Sequence, residues 1–371
     1  MFRSLIAVLV ALAAQLGQAV PGIAAAATLL TQVFAGRAFA APVSAPEVVE
    51  DWLLPRYDTL AAATTAQLAA WEAFCKAPSE AGIAELRTRF GAVSDAWAAV
   101  EFITFGPVVL SLRADRFNLF PERRNAVARS LTELIADPTE ERLAPDRFPR
   151  LSAAVQGVPA LERLLYDDGA SAALVSGAEA TRRCAIGRAI ADNLDEIARG
   201  IREGWGDRTK GLLAQLLAGK PDPVFFPDPN ALLSQMVTDL AGAYQRVVDQ
   251  RLLVVLGKSL DDAKPALADR RRSGRSKATI LAVVASAGAL TERLAAGLDA
   301  KAQGIVDKAG RDALAAVGRL PDDIGAAAAE PKDRKVIDAA VVALKAAQKT
   351  VADPLASGLG VPLGFNALDG D

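Results

Sequence analysis

Apolar residues return along most of this chain at every third or fourth position, the period of a helix with one buried face. Phe90, Val93, Trp97 and Val100 form one such stripe, in a helix predicted to open at Ser79 with Gly82 and to run to about Phe105. Before it, residues 46–75 read as a long helix with Pro55 near its start and Trp52, Leu60, Leu68 and Trp71 along its apolar side. Gly106-Pro107 breaks the pattern, and the stretch to about Phe120 is predicted to be irregular. A further helix is expected from Phe120-Pro121-Glu122 to Ala136, where Asp137-Pro138 stops it. The clearest helix of all covers 179–205, with Ile186, Ile190, Leu194, Ile197, Ile201 and Trp205 on one stripe. Beyond a proline-rich stretch, helices are predicted over 230–256, about 278–303, about 309–320 and 332–352. Leu233, Val237, Leu240, Tyr244 and Val247 make the inner face of the first of these.

Between these lies 156–166, QGVPALERLLY. Gly157 and Pro159 open it, and proline is tolerated in the first turn of a helix, where its missing N–H would have no partner. Leu161, Leu164 and Leu165 then recur at helical spacing, and Glu162 and Arg163 are set into that stripe. On spacing alone this is a capped core helix with a solvated Glu and Arg.

Composition agrees with an all-α fold. Of 371 residues 51% are hydrophobic and only 5% aromatic, with alanine prominent, which favours close-packed helices over a β-sandwich. The length suffices for two domains. The expected organisation is two tandem helical bundles with a cleft between them: residues 41–219, a proline-rich linker over 220–229, and 230–371, whose tail packs back on the fold. Residues 1–40 read as a signal peptide: Arg3 precedes the apolar run of Leu5 to Ala14, and Ala38-Phe39-Ala40 matches the small-x-small cleavage rule. A retained anchor is the competing reading, weakened by Gln15, Gly17, Gln18 and Pro21 in the apolar run. No cysteine precedes Cys75, so a lipid-attachment box is ruled out. Once the signal is removed, no stable transmembrane segment is expected, and the mature chain is placed in the periplasm or cell envelope as a monomer or weak oligomer.

Net charge is −2; removing 1–40 takes away Arg3 and Arg37 and no acid, leaving −4. No global basic field exists for nucleic acid. The chain has no histidine, which excludes Ser–His–Asp and Cys–His catalysis, H-E-x-x-H zinc sites and His-ligated haem. Ser273 and Ser276 have no nameable general base, which argues against a serine enzyme. Cys75 and Cys184, in an exported chain, are either joined in a disulfide or buried as free thiols.

Several stretches together carry a family resemblance. Residues 97–107 read WAAVEFITFGP, 272–276 read RSGRS, and the chain ends in GFNALDGD. With 156–166 and the helix from Cys184 to Trp205, these resemble the imelysin-like proteins, also labelled peptidase M75 and linked to bacterial iron uptake. The resemblance implies two α-helical bundles, a functional cleft between them, and an exported envelope protein whose partners are iron-uptake components and whose ligand is iron or haem-related. The family motif is G-x-H-x-x-E; here Gly157, Pro159 and Glu162 occupy its positions, and proline offers no metal ligand. A zinc peptidase is therefore not expected, and no catalytic residue is assigned. The chain resembles a His-less branch, for which binding or an accessory role is the expectation. Candidate cleft residues are Glu101 and Glu162, with Arg113 and Arg275 as guanidinium partners and Asn366 and Asp369 from the tail completing a polar pocket. Two alternatives stay open: a hard cation held by Glu101, Glu162 and Asp369 in an oxygen-ligand metalloenzyme, or charges that only lock the bundles together.

Overall fold

Amphipathic helices bury their stripes only by packing on one another, and that requirement shapes the whole molecule. The computed structural model describes residues 43–220, 225, 226 and 228–364. The expected signal peptide, part of the linker, and Asn366 and Asp369 lie outside the described residues. The longer helices are α1 (Leu54–Lys76), α2 (Glu80–Ala98), α3 (Ala126–Ala136), α4 (Val158–Tyr166), α5 (Ala180–Gly206), α6 (Pro229–Arg246), α7 (Ser276–Ala295), α8 (Ala300–Gly318) and α9 (Pro331–Leu359). No strand is present among the described residues, so the fold is all-α.

The closest pairings fall into two groups. Helix α1 lies against α2 and α5, whereas α8 packs on α7 and α9, and α9 on α6. Across the groups α2 meets α7, and a single hydrophobic core runs from Val43 to Val361, so the described residues form one compact unit. The predicted stripes are its interior: Phe90, Val93, Trp97 and Val100, the α5 stripe from Ile186 to Trp205, and the α6 face from Leu233 to Val247 are all buried. Helix α7 has the length and hydropathy of a membrane span, but Val283, Val284, Ala287, Leu290 and Leu294 are buried against its neighbours.

Some boundaries differ from the periodic reading, each for a visible reason. Helix α2 ends at Ala98 rather than near Phe105, because tertiary partners take over the backbone: the Ala99 carbonyl accepts from Ser286 Oγ, and Thr104 N–H donates to Asp239 Oδ2 at 2.7 Å. Helix α3 begins at Ala126 rather than Phe120, because Arg124 and Asn125 have φ of 55° and 51°, incompatible with a right-handed helix. The long helix predicted over 230–256 is α-helical to Arg246, then winds as a π turn over Val247–Leu253. Cys75 on α1 and Cys184 on α5 are bonded, with their Cα atoms 5.8 Å apart, so the disulfide alternative is the one realised. Just after α9, Val361 is buried and Gly364 N–H donates to Thr238 Oγ1 at 3.0 Å; the rest of the tail lies outside the described residues.

Candidate functional site

Helix α4 is aimed by what surrounds Gly157. Arg116 donates to Gln156 Oε1 at 2.7 Å and to Asn193 Oδ1 at 2.6 Å, and Asn193 returns a bond to the Gln156 carbonyl at 3.0 Å. A Cβ at Gly157 would lie 2.3 Å from the Phe117 carbonyl oxygen, so only glycine lets the 116–117 backbone approach this closely. From there Leu161, Leu164 and Leu165 point into the core with no exposure, as their spacing predicts.

Glu162 is 5% exposed on that same helix. Its Oε1 accepts from both the Ser273 N–H, at 3.0 Å, and the Ser273 hydroxyl, at 2.7 Å. Its Oε2 takes no donor from any described residue. Arg272 bonds Asp167 at 2.5 Å, so the basic turn 270–277 clasps α4 at both Glu162 and its C-terminal end.

Beside Glu162 opens a cavity of about 390 Å³. Pro159, Glu162 and Arg163 form one wall, the 119–125 loop a second, Gln250 and Val254 a third, and residues 266–272 the fourth. Behind it runs a buried charge chain. Arg251, fully buried on the π turn, pairs with Glu101 at 2.7 Å and Asp269 at 3.1 Å; Asp269 in turn pairs with Arg270 at 3.0 Å. Arg270 continues to Asn118 at 2.5 Å and Ser94 at 3.2 Å. Burial alone would lower the Arg251 pKa, but Glu101 and Asp269 hold it above its ordinary value, so the guanidinium stays charged. The Arg251 guanidinium also lies 4.9 Å from the Phe120 ring centre.

Five non-glycine residues among those described have left-handed φ, and three of them, Arg124, Asn125 and Arg270, line this cavity. Each is disfavoured locally and persists because surrounding contacts over-determine it. Arg163 holds Asn125 with a 2.8 Å bond, and Arg270 is fixed by Asp269, Asn118 and Ser94.

The expected site residues are only partly brought together. Pro159 and Glu162 line the cavity, while Glu101 sits behind it, reached through Arg251 and Asp269. The two arginines expected as partners pair elsewhere. Arg275 binds Asp95 on α2, with its guanidinium against Gly91, and Arg113 donates to the Pro107 carbonyl at 3.0 Å against Gly200 on α5. A carboxylate prefers whichever donor reaches it, and for Glu101 that is Arg251, for Glu162 Ser273. Among the described residues no three His, Cys, Asp or Glu side chains are grouped to hold a metal. Asp369, the third carboxylate of the hard-cation alternative, lies outside the described residues. Arg251, missed in the sequence, was signalled there: it falls four residues after Val247, on the continuation of a buried stripe.

The profile of the imelysin family, peptidase M75, matches residues 53–351. The fold is similar to that of an imelysin-like protein from Psychrobacter arcticum 273-4, with a TM-score of 0.70 and 21% identity over 86% of this chain and 96% of that one. It is also similar to a "putative iron-regulated protein A precursor" from Parabacteroides distasonis ATCC 8503, with a TM-score of 0.67 and 15% identity over 85% and 94% of the two chains. No curated protein matches the sequence.

Proposed function

For a chain that belongs to the imelysin family, we propose a role as an exported, non-peptidase protein of the cell envelope that binds a ligand beside Glu162 in the service of iron uptake. The observation that carries this reading is the wall made by Pro159 and Glu162. Where the family motif has a histidine, proline presents only a hydrocarbon ring to the cavity, and the glutamate one turn on is already engaged by Ser273. A hydrolytic zinc centre needs three protein ligands and an open position. A cavity of about 390 Å³ with mixed apolar and charged walls is instead the usual form of a small-molecule site. The name of the Parabacteroides neighbour favours iron. The Cys75–Cys184 disulfide favours export, because such bonds persist in oxidising compartments.

Titrating the purified protein with ferric salt, haem and a ferric hydroxycarboxylate chelate is the test. Binding of at least one, weakened in Glu162→Gln, is expected, together with no cleavage of a peptide library. No binding to any of them, or proteolysis that Glu162→Gln abolishes, would overturn the reading. Mass spectrometry of an envelope fraction should find the mature chain starting at Ala41.

A further inference from the structure

Most charges around the cavity are already matched. Arg270 is paired with Asp269, Arg163 with Glu122 at 3.7 Å and Asp167 at 3.4 Å, and Arg272 with Asp167. Two guanidiniums are not. Arg124 and Arg271 both line the cavity, both are exposed, and neither guanidinium has a hydrogen bond or ion pair among the described residues. Across from them Glu162 keeps Oε2 without a donor. Gln250 stands in the wall with a buried Oε1 that also lacks a partner. The unspent chemistry of the site is thus two positive forks, one carboxylate oxygen seeking a donor, and one amide.

From this complement we infer that the ligand of the site is a small polycarboxylate carrying a hydroxyl group, with carboxylates on Arg124 and Arg271 and the hydroxyl donating to Glu162. The inference rests on the proposed site and names what fills it. Guanidinium matches carboxylate bidentately, two arginines call for two such groups, and an acceptor-only carboxylate beside them rejects an anion that brings no donor. The left-handed backbone at Arg124 and Arg270 belongs to the same arrangement. It turns the 119–125 loop and the 266–272 turn so that both face one cavity. Hydroxycarboxylates also bind ferric ion through hard oxygen ligands, so the free acid and its iron chelate share the recognised groups.

Calorimetry with iron-free citrate and with tricarballylate, its analogue lacking only the hydroxyl, tests this directly. Citrate is expected to bind at least tenfold more tightly than tricarballylate. Arg271→Ala and Arg124→Asn should each weaken citrate at least tenfold with unchanged Tm, asparagine being chosen because it tolerates the left-handed backbone. Glu162→Gln should narrow the citrate preference towards parity. Equal affinity for citrate, tricarballylate and sulfate would overturn the inference, as would citrate binding untouched by the double arginine variant. Haem or bare ferric ion that binds in a Glu162-dependent way, with citrate inert, would sink the ligand class while leaving the site itself standing.

Discussion

At the scale of single residues, Gly157 does more than open a helix. Its missing Cβ is what allows the Phe117 carbonyl to approach, and that contact sets where α4 begins and where Glu162 points. Gly157→Ala should therefore destabilise the protein by about 1–3 kcal/mol, the usual cost of overpacking, and weaken ligand binding as well. A lowered Tm in calorimetry with binding unchanged would separate the two roles and contradict the second. Glu162 was legible in the sequence as a charge set into an apolar stripe, and so was Glu101. Their partners were not, because a sequence shows which residues need a counter-charge but not which distant one arrives. Ser273 is 111 residues from Glu162, and Arg251 reaches Glu101 from a π turn that periodic reading treats as ordinary helix. Following the α6 stripe one turn past Val247 would have landed on that arginine.

At the scale of elements, the helices with strong stripes were predicted well and those rich in alanine less so. The pattern put one boundary near Gln303, whereas α8 starts at Ala300 with Asp299 capping it: the Asp299 carboxylate accepts from the N–H groups of Lys301 and Ala302 at 3.0 Å each. Alanine runs carry little contrast between faces, so only the capping residue marks the break. Hydrophobic spacing starts the third helix at Phe120 rather than Ala126 because left-handed residues such as Arg124 and Asn125 leave no trace in it. Helices α1 and α5 are held by packing and also by the Cys75–Cys184 bond, which closes a loop with a sequence separation of 109. Removing that bond in Cys75→Ala/Cys184→Ala should cost about 2–5 kcal/mol, because so long a loop regains much chain entropy when unfolded. Denaturant unfolding of the double variant with the same midpoint as the parent would contradict this.

At the scale of the whole molecule, the two groups of helices meet through polar as well as apolar contacts, and one of these makes stability depend on pH. Asp239 on α6 accepts from Thr104 N–H and Oγ1, both at 2.7 Å, and from Gln235 at 2.9 Å. Burial nevertheless pushes its pKa up to about 6, the hydrogen bonds only partly opposing it. A carboxyl that holds its proton more tightly folded than unfolded adds stability when protonated. Stability should therefore fall by up to about 3 kcal/mol as pH rises from about 4 to about 6. Below pH 4 the exposed Asp207 acts in the opposite sense, since the Lys210 and Thr209 N–H groups and the Thr209 hydroxyl hold it down at about 2. Asp239→Asn should flatten the slope between pH 4 and 6 in urea melts. Ligand binding in the cavity walled by Pro159 and Glu162 is what the proposed function requires. Its most direct test is a crystal of the protein soaked in ferric citrate and examined by difference density. A bound molecule is expected in that cavity, with carboxylates against Arg124 and Arg271 and a hydroxyl at Glu162. Density elsewhere on the protein, with the cavity holding only water at saturating ligand, would contradict it.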